Sequence, residues 1–165
     1  MQILLTNFLT DFPAMAIAGD SVDRELVDKP RRWNIKFIRS FMFTFGAVSS
    51  VFDYITFGML LLVLNVSQDQ FRTGWFLESV MTELLIMLVI RTQKPFFRSR
   101  PGKYLLIGTL IVASATLVLP YSPLNRLLGF TPLSLPLLLV LSVITLLYVL
   151  ASEMAKRVFY ARVQL

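Results

Sequence analysis

Four carboxylates, Asp11, Asp53, Glu78 and Glu83, interrupt stretches of sequence that are otherwise almost wholly apolar. An acid at the centre of a hydrocarbon layer costs about 3 kcal/mol on insertion scales, so each is a candidate for function. Asp11 has polar company: Asn7, Thr10 and Asp11 stand at i, i+3 and i+4, which on a helix places their oxygens on one face. Pro13, two residues on, removes a backbone hydrogen bond and loosens the turn before it. Carboxylate, amide and hydroxyl oxygens beside a loosened turn are the makings of a cage for a hard cation, and transporters hold ions at such interrupted helices. The competing explanation is a polar trio that glues two helices, worth ~1 kcal/mol per hydrogen bond. An ion site is favoured because an ionised group inside a membrane is functional by default.

Glu83 falls about ten residues into its apolar stretch, roughly 15 Å deep and near the midplane, at a depth comparable with Asp11. Carboxylates from two helices at one level can attract a divalent ion, or bind a proton or sodium. Glu78 lies more than a turn shallower and is expected to snorkel toward the outer interface, which makes it the weaker ligand candidate. Asp53 follows Ser49, Ser50 and Gly46, and is expected to bond a neighbouring helix. Asp53 and Glu78 are therefore secondary or structural candidates. Cysteine and histidine are both absent, so any metal here is held by oxygen.

The elements that must position these groups are membrane spans. The chain has 165 residues, 56% hydrophobic and 16% charged, which is too apolar for an ordinary soluble domain. Five apolar stretches can be marked, at about 1–18, 40–64, 73–90, 104–121 and 133–151, each near the length a spanning helix needs. The expected fold is an all-α polytopic membrane bundle of about five helices. Threaded in order, these stretches put fourteen of the sixteen basic residues on one side, leaving only Arg72 and Arg126 on the other. Basic residues mark cytoplasmic loops, so the C-terminus is expected in the cytoplasm and Met1 outside. The charge of +6 thus reports topology, with the lipid bilayer as partner and no nucleic acid. Prolines agree with the map: Pro95 and Pro101 flank one connection, and Pro120, Pro123 and Pro132 punctuate another. Phe71, Trp75, Phe76, Tyr104 and Tyr121 lie near the expected span ends and are expected to anchor the interfaces. Polar residues interrupt the first stretch, so it is expected to be a retained helix rather than a signal peptide.

Several of these segments resemble one family. Asn7-Phe8-Leu9-Thr10-Asp11 is similar to the N-x-x-T-D signature on the sixth transmembrane helix of P-type cation ATPases, whose Asn, Thr and Asp bind the ion. Ala16 to Asp23, and Lys29-Pro30-Arg31-Arg32-Trp33, resemble the loop that follows that helix in the magnesium-transporting (type IIIB) subgroup. Phe45-Gly46, Ser49 to Asp53, Thr73-Gly74-Trp75-Phe76 and Ile90-Arg91-Thr92 resemble its seventh and eighth helices in order and spacing.

The resemblance covers the whole chain, and it implies the C-terminal membrane domain of a cation pump, helices six to ten of ten, in the plasma or inner membrane. It gives Asn7, Thr10 and Asp11 ion-binding roles, and it places Glu83 at an eighth-helix position that calcium pumps use. The implied cargo is magnesium, with calcium or a monovalent ion as alternatives. The D-K-T-G-T phosphorylation motif and the T-G-E motif of such pumps do not occur in these 165 residues, so this chain is expected to have no ATP site and no catalysis by itself. Its implied partner is the N-terminal part of the pump, on the same or a separate polypeptide. The alternative is a free-standing truncated paralogue, acting as an interaction or regulatory subunit or as an inactive remnant.

Overall fold

The computed structural model describes residues 2–20 and 35–162, all of whose regular elements are helical. The second part of the loop signature, 21–33, lies outside the described residues. Helix α1 spans Gln2–Ala16 and ends in a 3-10 turn, Ile17–Gly19. It runs through Pro13 without unwinding, so the loosened turn is limited to the Leu9 carbonyl, which Pro13 has no N–H to reach. The hydroxyls of Thr6 and Thr10 bond carbonyls a turn back, at 3.2 Å to Gln2 and 3.1 Å to Thr6, keeping their own donors satisfied in an apolar setting.

Helix α2, Ile35–Gly58, continues as a π-helical turn over Met59–Val63 and stops at Asn65, whose φ of 46° is the left-handed conformation that asparagine tolerates. Ser67 then caps α3, Gln68–Ile90: its hydroxyl accepts from Gln70 N at 3.3 Å and Gln70 Oε1 accepts from Ser67 N at 3.1 Å. This capping box starts α3 five residues before Thr73, the expected beginning of the span. Helix α4 spans Lys103–Val118 with a 3-10 turn to Tyr121, α5 is one turn at Asn125–Leu128, and α6 spans Leu135–Arg162, well past the expected end at 151.

Helix α3 is the centre of the bundle. It packs against α1, α2, α4 and α6, while α1 pairs with α4 and α2 with α6. Phe76, Leu77, Val80, Leu84 and Met87 of α3 form the main core with Val112 of α4, Leu137 and Leu141 of α6, and Phe130 and Leu133 of the preceding loop. Gly74 lets α3 approach this core closely, since a Cβ there would meet Leu60 Cδ1 at 3.2 Å and Leu141 Cδ1 at 3.6 Å. Lipid tails are as apolar as leucine, so tight packing of this kind, rather than removal from water, holds such helices together.

Ile35–Val63, Gln68–Ile90, Lys103–Tyr121 and Leu135–Arg162 are long and apolar enough to cross a membrane. Five such helices were expected. Among the described residues the fifth, α1, falls short of that length, its 15 residues rising only about 22 Å against a hydrocarbon core of about 30 Å. The many large apolar side chains left exposed on the other helices suit lipid contact.

Both ends of the bundle are tied. At one end Gln2 Nε2 donates to the Gly129 carbonyl at 2.8 Å, joining the start of α1 to the loop between α4 and α6. At the other, the Arg91 guanidinium pairs with Asp20 at 2.9 Å, with both side chains buried. Arg91 also donates to the Ser99 carbonyl at 2.6 Å, and Asp20 Oδ1 accepts from Gly102 N. Two sequence segments that resemble family motifs, around Asp20 and around Arg91, thus meet across 71 positions of chain. Nearby, Lys156 Nζ donates to the carbonyls of Val89 at 2.9 Å and Lys94 at 2.7 Å, capping the C-terminal end of α3, and pairs with Glu153 at 2.9 Å.

Candidate ion-binding site

The contact between α1 and α3 brings three of the four primary site candidates together. The Glu83 carboxyl of α3 faces the Thr10 hydroxyl of α1 and lies within the field of the Asp11 carboxylate. Thr10 is buried, with 2% of its surface exposed, and its proton is committed to the Thr6 and Asn7 carbonyls at 3.1 and 3.3 Å. Its oxygen lone pairs are therefore the part of the hydroxyl that a cation beside Glu83 can use. Asn7, Asp11 and Glu83 are exposed on the surface of this bundle. Two carboxylates and a hydroxyl, all hard oxygen donors, suit a cation such as magnesium or calcium, while the Asn7 side chain is not brought onto Glu83.

The depth of Glu83 differs from expectation. Because α3 begins at Gln68, its middle lies near residue 79, and Glu83 sits seven residues before Ile90, about 10 Å from the end that carries Arg91. Asp11 stands five residues before the end of α1 at that same end of the bundle, so the two remain at one level.

The shift also corrects two other expectations. Glu78, expected to snorkel, is at the centre of α3 and only 2% exposed. Phe76, expected as an interfacial anchor, is a core residue packed on Phe130 with ring centroids 4.6 Å apart.

A second polar cluster sits between α2, α3 and α6. Glu78 lies in the field of Asp53 and faces the Thr56 hydroxyl, while the Trp75 indole N–H points toward Asp53. None of Thr56 Oγ1, Trp75 Nε1 or Glu78 Oε2 makes a hydrogen bond of good geometry. The Tyr148 hydroxyl of α6 approaches Ser49 and Ser152. A cavity of about 220 Å³ opens beside this cluster, bordered by Ser49, Asp53, Ser79, Thr82, Glu83 and Tyr148. Asp53 was expected to bond serines or backbone of a neighbouring helix; it shares the cavity with Ser49 of its own helix and Ser79 of α3, and the α3 indole of Trp75 is turned toward it. Sequence reasoning missed Thr56, Tyr148 and Ser152, because a hydroxyl in an apolar helix carries no signal until the facing helix is known. Among the described residues no three acids converge into a metal-binding group.

The family described as "Cation transporting ATPase, C-terminus" matches residues 1–158. The chain is 34% identical, over 98% of its own length, to a "Magnesium-transporting ATPase, P-type 1" of Salmonella typhimurium strain LT2, and 35% identical over the same share to the Escherichia coli K12 protein of that name. It spans 18% of the length of each of these relatives. An all-helical bundle with membrane-type spans, matched along nearly its whole sequence, belongs to the C-terminal membrane domain family of cation-transporting ATPases.

Proposed function

We propose that this chain is the C-terminal membrane domain of a magnesium-transporting P-type ATPase and supplies part of the intramembrane ion site through Asn7, Thr10, Asp11 and Glu83. The observation that carries the proposal is the convergence of Thr10 and Asp11 on Glu83 across the contact between α1 and α3. The relatives' printed substrate, together with an oxygen-only donor set, supports Mg²⁺ as cargo.

The exposure of Asn7, Asp11 and Glu83 fits the same function. Carboxylates facing hydrocarbon are unfavourable, so this face requires a cover, and the N-terminal membrane helices of the pump provide it. In this arrangement α1 with its 3-10 turn is the first of five spans, with a combined rise of about 28 Å. The end carrying Arg91, Lys103 and Lys156 faces the cytoplasm, with the C-terminus, and the assembly sits in the inner or plasma membrane.

Chemically, the domain binds and orients the cation, and the phosphorylation that drives transport occurs in the part of the pump outside this sequence. The test is Mg²⁺-dependent phosphorylation by the whole pump. Asp11→Asn and Glu83→Gln each lower the apparent Mg²⁺ affinity at least tenfold, while Asp69→Asn, remote from the site, leaves it unchanged. Wild-type affinity in both site variants would refute the assignment.

A further inference from the structure

We propose that Asp20 and Arg91 are the positioning pair of the ion site: their buried ion pair sets the register of α1 against α3 and so holds Asp11 at the level of Glu83. The inference rests on the proposed role of those two acids, and its first ground is placement. Helices α1 and α3 run in the same direction, from the end where Gln2 meets Gly129 and Thr73 Oγ1 accepts from Thr131 N to the end where Asp20 meets Arg91. Asp20 directly follows the 3-10 turn after α1, and Arg91 directly follows α3. Glu83 stands eight residues before Arg91, about 12 Å of helix. Asp11 is separated from Gly19, the residue before Asp20, by about 14 Å of α-helix and 3-10 turn. The pair thus anchors two parallel helices at nearly equal distances from the acids they carry.

The second ground is that apolar packing leaves this register open. Leu5 and Leu9, the α1 side chains packed on the main core, stand four residues apart, so a slip of one turn exchanges one leucine for the other. The same slip changes the site. Asn7, Asp11 and Met15 follow one another at that spacing. Moving α1 by four residues, about 6 Å, in either direction therefore sets an amide or a thioether where Asp11 stood beside Glu83. The close approach at Gly74 seats α3 against Leu60, in the π-helical turn after α2, and Leu141 of α6, which leaves the level of α1 to other contacts. At the far end of α1, the Gln2 bond to Gly129 is neutral and exposed.

The third ground is how the pair is built. The Arg91 and Asp20 side chains are 3% and 6% exposed, and Asp20 Oδ2 accepts from Arg91 Nη1 at 2.9 Å. Both partners are also bound to the segment that enters α4: Arg91 Nη2 donates to the Ser99 carbonyl and hydroxyl at 2.6 and 3.1 Å, and Asp20 Oδ1 accepts from Gly102 N. Because α1 packs on α3 and on α4, the pair fixes it to both of its neighbours. A buried ion pair gives up hydration and is a weak source of stability, whereas selecting one register among several is a well-attested use of buried polar groups. A one-turn slip parts these charges and strands both, a penalty that the exchange of Leu5 for Leu9 does not carry.

The experiment uses the whole pump in membranes. A short thiol cross-linker reads the register between Glu83→Cys and Thr10→Cys, or Thr6→Cys and Ala14→Cys one turn to either side, with the joined peptides identified by mass spectrometry. With the pair intact, Thr10→Cys is the preferred partner. Asp20→Asn/Arg91→Met removes the pair without stranding a charge; in it, cross-linking to Thr10→Cys falls severalfold and a partner one turn away gains. With Thr10 and Glu83 restored, the same double variant lowers the apparent Mg²⁺ affinity in the phosphorylation assay at least fivefold and leaves maximal phosphorylation unchanged. A pair that served stability alone gives no such loss, because replacing both members of a buried pair is often neutral. Arg91→Lys, which keeps a charge opposite Asp20, retains the wild-type cross-link and affinity. Asp20→Asn alone carries the test if the double variant does not elute as a single species. An unchanged cross-link preference, or a changed preference with wild-type affinity, overturns the positioning role. Asp11→Asn and Glu83→Gln, measured alongside, judge the ion site separately: if neither lowers the affinity the site assignment fails, while the cross-links still decide whether the pair sets the register.

Discussion

Thr10 shows how one hydroxyl can serve structure and site together. Its proton stabilises α1 through the Thr6 carbonyl, which leaves its lone pairs free for a cation held beside Glu83 in the proposed site. Thr10→Ser therefore retains near-wild-type Mg²⁺ affinity in the whole pump, whereas Thr10→Val, with the same shape and no oxygen, lowers it severalfold in the phosphorylation assay. Lys156 has a different task. Buried to 1% exposure, it donates to two carbonyls and stands within ion-pair distance of Glu153 Oε2. Lys156→Met keeps the apolar stem but strands a buried carboxylate, and is expected to cost about 3–5 kcal/mol in a detergent unfolding titration. Glu153→Gln in the same chain recovers part of that loss, since the stranded charge is then gone. The acids and Asn7 were legible as candidates because their types are rare in apolar sequence. Lys156 was counted only as a basic tail residue, because nothing in its local sequence shows that α6 continues past α3's end.

At the scale of elements, the start of α3 decides the most. Ser67 and Gln70 form a capping box whose S-x-x-Q spacing stands in the sequence, and an apolar window that begins at Thr73 passes over it. Moving the start five residues earlier carries Glu78 to the helix centre and Phe76 into the core. Ser67→Ala removes one half of the box and lowers stability by about 1 kcal/mol, measured by the same titration. Protection of the Gln70 and Phe71 amides from hydrogen exchange falls with it. The length of α6 was likewise hidden: Glu153, Lys156 and Arg157 end a hydropathy window, yet Glu153 and Lys156 face each other and α3, so the helix continues with its charges paired. Pro13 acted in the opposite direction, since α1 continues through it to Ala16.

For the whole molecule, the two tied ends give a topology that can be read by labelling. The Gln2 to Gly129 contact and the Ser67 cap belong to one end, and the Asp20, Arg91 and Lys156 contacts to the other. These 165 residues contain no cysteine, so a single cysteine introduced into this chain reports without background from the rest of it. Asp69→Cys and Leu127→Cys react with an impermeant maleimide from outside intact cells, whereas Phe97→Cys and Ala161→Cys react only after the membrane is opened. Labelling of all four from one side would refute the ordering of the spans. The uncovered face carrying Asp11 and Glu83 belongs to this scale too, since its cover comes from beyond these residues in the proposed assembly.

The sequence by itself determined the class of the protein, the number of apolar stretches to within α1, the side on which its basic residues lie, and the acids most worth mutating. These are one-dimensional quantities: hydrophobicity summed over a span, the sign of a loop, the rarity of a carboxylate in hydrocarbon. Tertiary structure decided which acids lie near one another. Whether Glu83 meets Thr10 and Asp11, and whether Glu78 faces Asp53 or lipid, depends on how α3 is rotated and shifted against α1, α2 and α6. A shift of a single turn, about 5.4 Å, exchanges one partner for another, and the packing of Gly74, Phe76 and Leu141 that fixes it involves residues far apart in the chain.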